Sequence, residues 1–261
     1  MPLKQIFPRY FSLTGLMAGA VSPDLLYFLA LDTTHRGISH SWSGLFIFCL
    51  PAGVIFSFAF HKLFKYQAIL NMPGPIDRFL SGLALKRFSI RRFRQWLTLT
   101  YSVLFGALSH FFWDSFTNSQ GEITRMIPFL LDYSTILGIT WQNCTIVRNL
   151  STVLGGILIL IYIFKSPLLP EAVIEKSIFT SSQKTRFWLL GIAAATSFAI
   201  FVVFFKGHVA GWDLLGDSPR IHSFRTFGLA GWAGFYYFIC GYALYLNLTK
   251  PDFNHFHNNS R

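Results

Sequence analysis

Apolar residues in this chain gather into long runs, where an amphipathic surface helix would space them at i, i+3, i+4 and i+7. Six runs stand out, at roughly residues 11–31, 42–61, 97–116, 149–166, 187–206 and 226–247, each bounded by charged or turn-forming residues. A bilayer core about 30 Å thick is crossed by about 20 helical residues rising about 1.5 Å each, so these runs have the length of membrane spans. The first is interrupted by Ser22-Pro23-Asp24, and the fourth is short. The pattern predicts an all-α, multi-pass transmembrane helical protein of about six spans. With no internal repeat or low-complexity linker, residues 1–261 read as a single helical membrane domain.

Composition strengthens that reading. Hydrophobic residues make up 52% of the chain and charged residues only 13%, against about 25% charged in soluble domains. The 30 phenylalanines suit lipid-facing and interfacial surfaces. Cys49, Cys144 and Cys240 show no paired spacing, which argues against a disulfide framework or a thiolate metal site.

A net charge of +11 would point to nucleic acid in a soluble protein, whereas in a membrane protein the location of the charge matters more. Residues 62–96 hold Lys62, Lys65, Arg78, Lys86, Arg87, Arg91, Arg92 and Arg94 against one acid, Asp77. The positive-inside rule makes this a basic cytoplasmic loop. Alternate threading then puts both termini in the cytoplasm, along with Lys176, Lys184 and Arg186. Membrane lipids are the expected partners. Nucleic acid is not, and no protein partner is indicated. Lys4, Arg9 and Ala18-Gly19-Ala20 also fit a cleavable signal peptide. Because apolar character resumes in LLYFLAL, the first run is read as an uncleaved span.

This topology carries several polar groups towards one outer layer. His35 and His40 stand at the outer end of the second run, His110 and Asp114 near the outer end of the third, and Asp24 in the later half of the first. His110 and Asp114 are four residues apart and share a helix face. In HRGISHS, residues 35–41, Gly37 suits a turn that brings the two imidazoles towards each other, with Ser39 capping the helix that follows. Imidazole nitrogen with carboxylate oxygen suits zinc, and also iron or manganese, and a catalytic zinc needs three protein ligands plus an open position. The plainer reading is that these groups join helices by hydrogen bonds. Ionisable groups within spans are costly, however, and usually serve function.

Arg36 is a candidate for binding a phosphate or headgroup, and Glu122 for a general base. His208, Asp213, Asp217 and His222 lie irregularly in a predicted outer loop and read as solvated, as do His255 and His257 in a polar tail.

Three ordered blocks, SPDLLYFL (22–29), HRGISHS (35–41) and GALSHFFWDSFT (106–117), resemble a family of bacterial multi-pass membrane proteins, domain of unknown function 4184. They are also similar to the PD, HRG-x-x-H and SH-x-x-x-D elements of the YdjM-like membrane-bound metal-dependent hydrolases. That group is thought to be distantly similar to zinc-dependent phospholipase C and the P1-type nucleases. The likeness covers most of the first 155 residues, including Trp141-Gln142 and Ser151-Thr152-Val153-Leu154-Gly155. It implies Asp24, His35, His40, His110 and Asp114 as the metal-binding set, and a bacterial cytoplasmic (inner) membrane as the location. Relatives carry a histidine, close to a His-Pro-Ala, ahead of the segment matching Pro2-Leu3-Lys4, and this sequence begins within that stretch.

The expectation is a membrane-embedded hydrolase that uses a divalent metal, zinc by preference, on an ester or phosphoester, such as one in a lipid. Asp24, Asp114 and Glu122 are its candidate catalytic carboxylates, and Arg36 its candidate substrate contact. The alternatives are an ion or small-molecule transporter using the same groups, or a structural protein in which they lock helices together.

Overall fold

The computed structural model describes residues 6, 7, 9–31, 37–85, 88–136, 138–165, 179–209 and 219–249. These are mostly helical and fall into two compact units. One joins Met1–Pro23, His40–Val54 and Arg92–Ser166, and the other joins Asp24–Ser39, Ile55–Arg91 and Pro167–Arg261. The division falls between Pro23 and Asp24, inside one helical turn, so Asp24 is carried by the same turn as Ser22 and Pro23.

Helix α1 (Leu13–Ala30), whose part up to Pro23 belongs to the first unit, begins at Ser12, whose Oγ accepts from the Gly15 N–H at 3.2 Å. Its partner is α4 (Phe93–Thr117), started by Gln95 Oε1 accepting from the Arg92 N–H at 3.0 Å. Gly15 and Gly19 on α1 meet Ser102, Val103 and Gly106 on α4 almost backbone to backbone. A Cβ on Gly19 would lie 2.0 Å from the Val103 carbonyl oxygen, and one on Gly106 would lie 2.3 Å from that of Leu16. This is the small-x-x-x-small contact of helices in membranes, where van der Waals packing replaces the hydrophobic drive. Across the seam the Ser12 N–H donates to Ser102 Oγ at 2.9 Å.

Helix α2 (Trp42–Leu70) also packs on α4 over its first turns, with Leu45, Cys49 and Ala107 buried together among Phe48, Leu104, Leu108 and Phe111. Its wide turn at Leu45–Cys49, closed by the Leu50 N–H on the Leu45 carbonyl, comes just ahead of Pro51, which has no N–H to donate. Short helices α5 (Glu122–Met126) and α6 (Pro128–Leu131) then lead to a hairpin, β1 (Tyr133–Ile136) against β2 (Ile139–Gln142). Helix α7 (Asn143–Phe164) follows and is tied back through Asn143 Nδ2 to the Phe129 carbonyl at 2.8 Å. The hairpin is absent from the apolar-run pattern, although Thr135, Ile136, Ile139 and Thr140 are β-formers and Gly138, at φ +78°, supplies the left-handed turn residue.

The second unit packs α8 (Ser181–Val209) antiparallel on α9 (Pro219–Thr249). Gly191 lies under the Phe235 ring, Gly234 under Phe198, and Ala199, Val202 and Ala230 form the buried seam. Residues 62–96, expected as a loop, are largely helical here. Helix α2 runs on to Leu70, α3 (Ile76–Leu85) follows, and α4 begins at Phe93. Lys65-Tyr66-Gln67-Ala68-Ile69-Leu70 favours helix well enough to outlast its hydrophobicity, until Pro73-Gly74-Pro75 stops it. Lys65 is only 1% exposed and so is not one of the solvated cations. Asp77, buried at the start of α3, takes the Lys184 ammonium from α8, and the Trp188 indole N–H donates to the Asn71 carbonyl at 2.8 Å.

Among the described residues, five helices are long and apolar enough to cross a membrane: Leu13–Ala30, Trp42–Leu70, Asn143–Phe164, Ser181–Gly207 and Phe224–Leu246. The expected third span forms a 25-residue helix, α4, but Arg94, Gln95, Thr98, Ser102, Ser109, His110 and Asp114 keep it out of that group. The fourth run, short in sequence, gains more than a turn by starting at Asn143.

If the α1–α4 contact holds the first unit together, Gly19→Ala loses about 1–3 kcal/mol by overpacking. Gly155→Ala, whose methyl meets nothing within 4 Å, leaves stability unchanged or slightly raised. Unfolding midpoints in detergent check both; a Gly19→Ala protein as stable as the wild type would refute the contact.

Candidate metal centre

Pro23 breaks α1. Without a proline N–H the helix tightens into a one-turn 3₁₀ segment, Ser22–Asp24, and the carbonyls just ahead find other donors. Ser22 Oγ donates to the Gly19 carbonyl at 2.8 Å, and His110 Nδ1 lies 2.8 Å from the Ala20 carbonyl. A carbonyl only accepts, so Nδ1 carries the proton in this bond. The neutral ring then presents Nε2 as its basic nitrogen, which is the way metal-ligating histidines are commonly oriented.

His40 reaches the same place from a different element. Gly37, at φ +46°, turns the chain into a single 3₁₀ turn, Ile38–His40, in which Ser39 is fully buried. The helix cap is Ser41, whose Oγ accepts from the Gly44 N–H at 3.0 Å; Ser39, the expected cap, lies inside the preceding 3₁₀ turn and so does not cap the helix. The His40 ring meets His110 edge-on at 5.8 Å between centroids and stacks on Phe111 at 6.1 Å.

Asp24 ends the turn that Pro23 forces. One ligand atom from each of Asp24, His40 and His110 lies within 4.8 Å of the others, and all three side chains are half-buried. Metal–ligand distances of about 2.0–2.2 Å put tetrahedral donor atoms about 3.3–3.6 Å apart, so small side-chain rotations bring this set to bonding distance. Two imidazole nitrogens and one carboxylate oxygen fit a zinc ion with a further position for water or substrate.

Asp114 lies one turn beyond His110 on α4, half-buried, and is not part of this group of three. Glu122 is exposed on the first turn of α5, next to Gly121, whose Cα packs against the Ser115 backbone. His35 and Arg36 lie outside the described residues, as do Asp213, Asp217, His255 and His257 and the side chains of His208 and His222. Three features of the centre were missed in the sequence: the Ala20 carbonyl, the Phe111 ring under His40, and the glycine contact. Only the last had a local signal, the spacing of Gly15 and Gly19 in GLMAG.

The fold is mostly helical, with five described helices long and apolar enough to cross a membrane, and its polar side chains converge where Pro23 breaks the first of them. The profile of the domain of unknown function DUF4184 matches residues 1–239, and the chain belongs to that family. No curated protein and no solved structure matches it.

The hydrogen bond to Ala20 predicts that His110 is the Nδ1-protonated tautomer at neutral pH. Nitrogen-15 histidine spectra of the wild type and of His110→Gln should assign that tautomer to the signal lost in the variant; an Nε2-protonated ring would contradict the assignment.

Proposed function

We propose that this protein is a membrane-embedded hydrolase that uses a divalent cation, zinc by its donor set, to cleave an ester or phosphoester near the outer face of a bacterial inner membrane. In this reading it spans the membrane six times with both termini cytoplasmic, as the basic residues between α2 and α4 favour. The similarity of its PD, HRG-x-x-H and SH-x-x-x-D blocks to the YdjM-like hydrolases supports the same assignment. The observation that carries it is the grouping of Asp24, His40 and His110 within 4.8 Å, together with a carbonyl that fixes the His110 tautomer.

Asp24, His40 and His110 would hold the cation. When bound, it supplies Lewis acidity, making water a better nucleophile near neutral pH and drawing charge from an ester or phosphoryl oxygen. Water adds to the acyl carbon or the phosphorus, the bond to the leaving oxygen breaks, and that oxygen receives the proton the water gives up. Asp114, one turn from His110, and the exposed Glu122 are the carboxylates assigned to that proton transfer. His35 and Arg36 are assigned to a further ligand and to the phosphoryl group.

A transporter reading draws on one observation, the break of an apolar helix beside ionisable groups, which is how many transporters build ion sites. Metal flux into vesicles without hydrolysis would favour it.

Purified wild-type protein is expected to carry about one equivalent of divalent metal by elemental analysis, lost in His40→Ala and His110→Ala. Chelation, or Asp24→Asn, should lower phosphodiester or ester hydrolysis by about 100-fold or more. A wild type with no stoichiometric metal would overturn this function.

A further inference from the structure

Beside the metal centre, the surface of the first unit is aromatic and apolar. Phe111 stacks on His40 on one side and meets the edge of the Trp42 ring on another, at 6.4 Å. Trp42 is 72% exposed and Phe46, one turn further along α2, is 60% exposed. Two large rings thus stand open on the first turns of an apolar helix, joined to a metal-ligand candidate by a single shared ring. Water-soluble substrates gain nothing from such an approach, because burying a polar group against it costs free energy. An acyl chain gains by every methylene laid along it.

We propose that the substrate is a long-chain amphiphile, whose tail lies along Trp42 and Phe46 while its ester or phosphoester group reaches Asp24, His40 and His110. This rests on the hydrolase reading above and adds the substrate class. Trp42 and Phe46 are then specificity-determining residues: they position the chain and take no part in bond breaking. Trp42 stands just ahead of the wide turn at Leu45–Cys49 and Phe46 lies within it. Their exposure also distinguishes them from Leu45 and Cys49 beside them, which are buried against Ala107 and serve the fold.

The test compares p-nitrophenyl ethyl phosphate with p-nitrophenyl hexadecyl phosphate on full-length, metal-loaded protein in one detergent. The wild type should prefer the long chain in kcat/KM. Micellar partitioning raises that ratio by itself, so the variants decide. Trp42→Ala and Phe46→Ala should each reduce the long-to-short ratio roughly tenfold, chiefly through KM for the long chain, and Trp42→Phe should restore much of it. Melting temperatures of the variants check that the fold is retained. If both substrates are cleaved and the ratio is the same in wild type and variants, the amphiphile inference falls while the hydrolase stands. If metal-holding protein cleaves neither these nor the carboxylic esters p-nitrophenyl acetate and p-nitrophenyl palmitate, the hydrolase reading falls and takes this inference with it.

Discussion

The close approach of two helix backbones, α1 and α4, is the contact on which the rest of the first unit depends. Gly19 lies where a Cβ would be 2.0 Å from the Val103 carbonyl oxygen, a distance no side chain tolerates. At that separation the next residue of α1, Ala20, comes within hydrogen-bonding reach of His110, which lies in the later half of α4. Moving the helices apart by the thickness of a methyl group would break that bond and release the imidazole to turn. The geometry of the candidate centre is therefore set by glycines that carry no chemistry themselves.

Backbone breaks do the rest. A carboxylate and two imidazoles are expensive within apolar helices unless they have partners or a cavity, and two of the three are delivered here by a local departure from regular helix. Pro23 makes the turn that ends in Asp24, and Gly37 makes the turn that ends in His40. Only His110 sits on an uninterrupted helix, and it is anchored by a backbone carbonyl near the first of those breaks. Ligands held on short turns and braced by packing keep their geometry better than ligands on long loops.

Much of this was legible in the chain. Long apolar runs mark most of the helices, and the threading of charge puts Asp24, His35, His40, His110 and Asp114 in one expected layer, of which Asp24, His40 and His110 are grouped in the structure. What stayed hidden is of two physical kinds. Hydropathy marks where a segment stops suiting lipid, while helix propensity persists further, so α2 runs on through Lys65 to Leu70 and that lysine is buried. Sequence spacing also reveals neighbours on one helix, such as His110 and Asp114, more readily than neighbours across helices. The grouping of His110 with Asp24 and His40, and the placing of Phe111 beneath His40, depend on how α1, α2 and α4 pack.

The central claim is that Asp24, His40 and His110 form one metal centre. X-ray absorption at the zinc edge of zinc-loaded protein tests it most directly, because imidazole scattering is distinctive and ligand distances are read out. The account predicts a first shell of nitrogen and oxygen at about 2.0–2.1 Å with two imidazoles, falling to one in His110→Ala. A shell of oxygen alone, or one unchanged by that substitution, would contradict it.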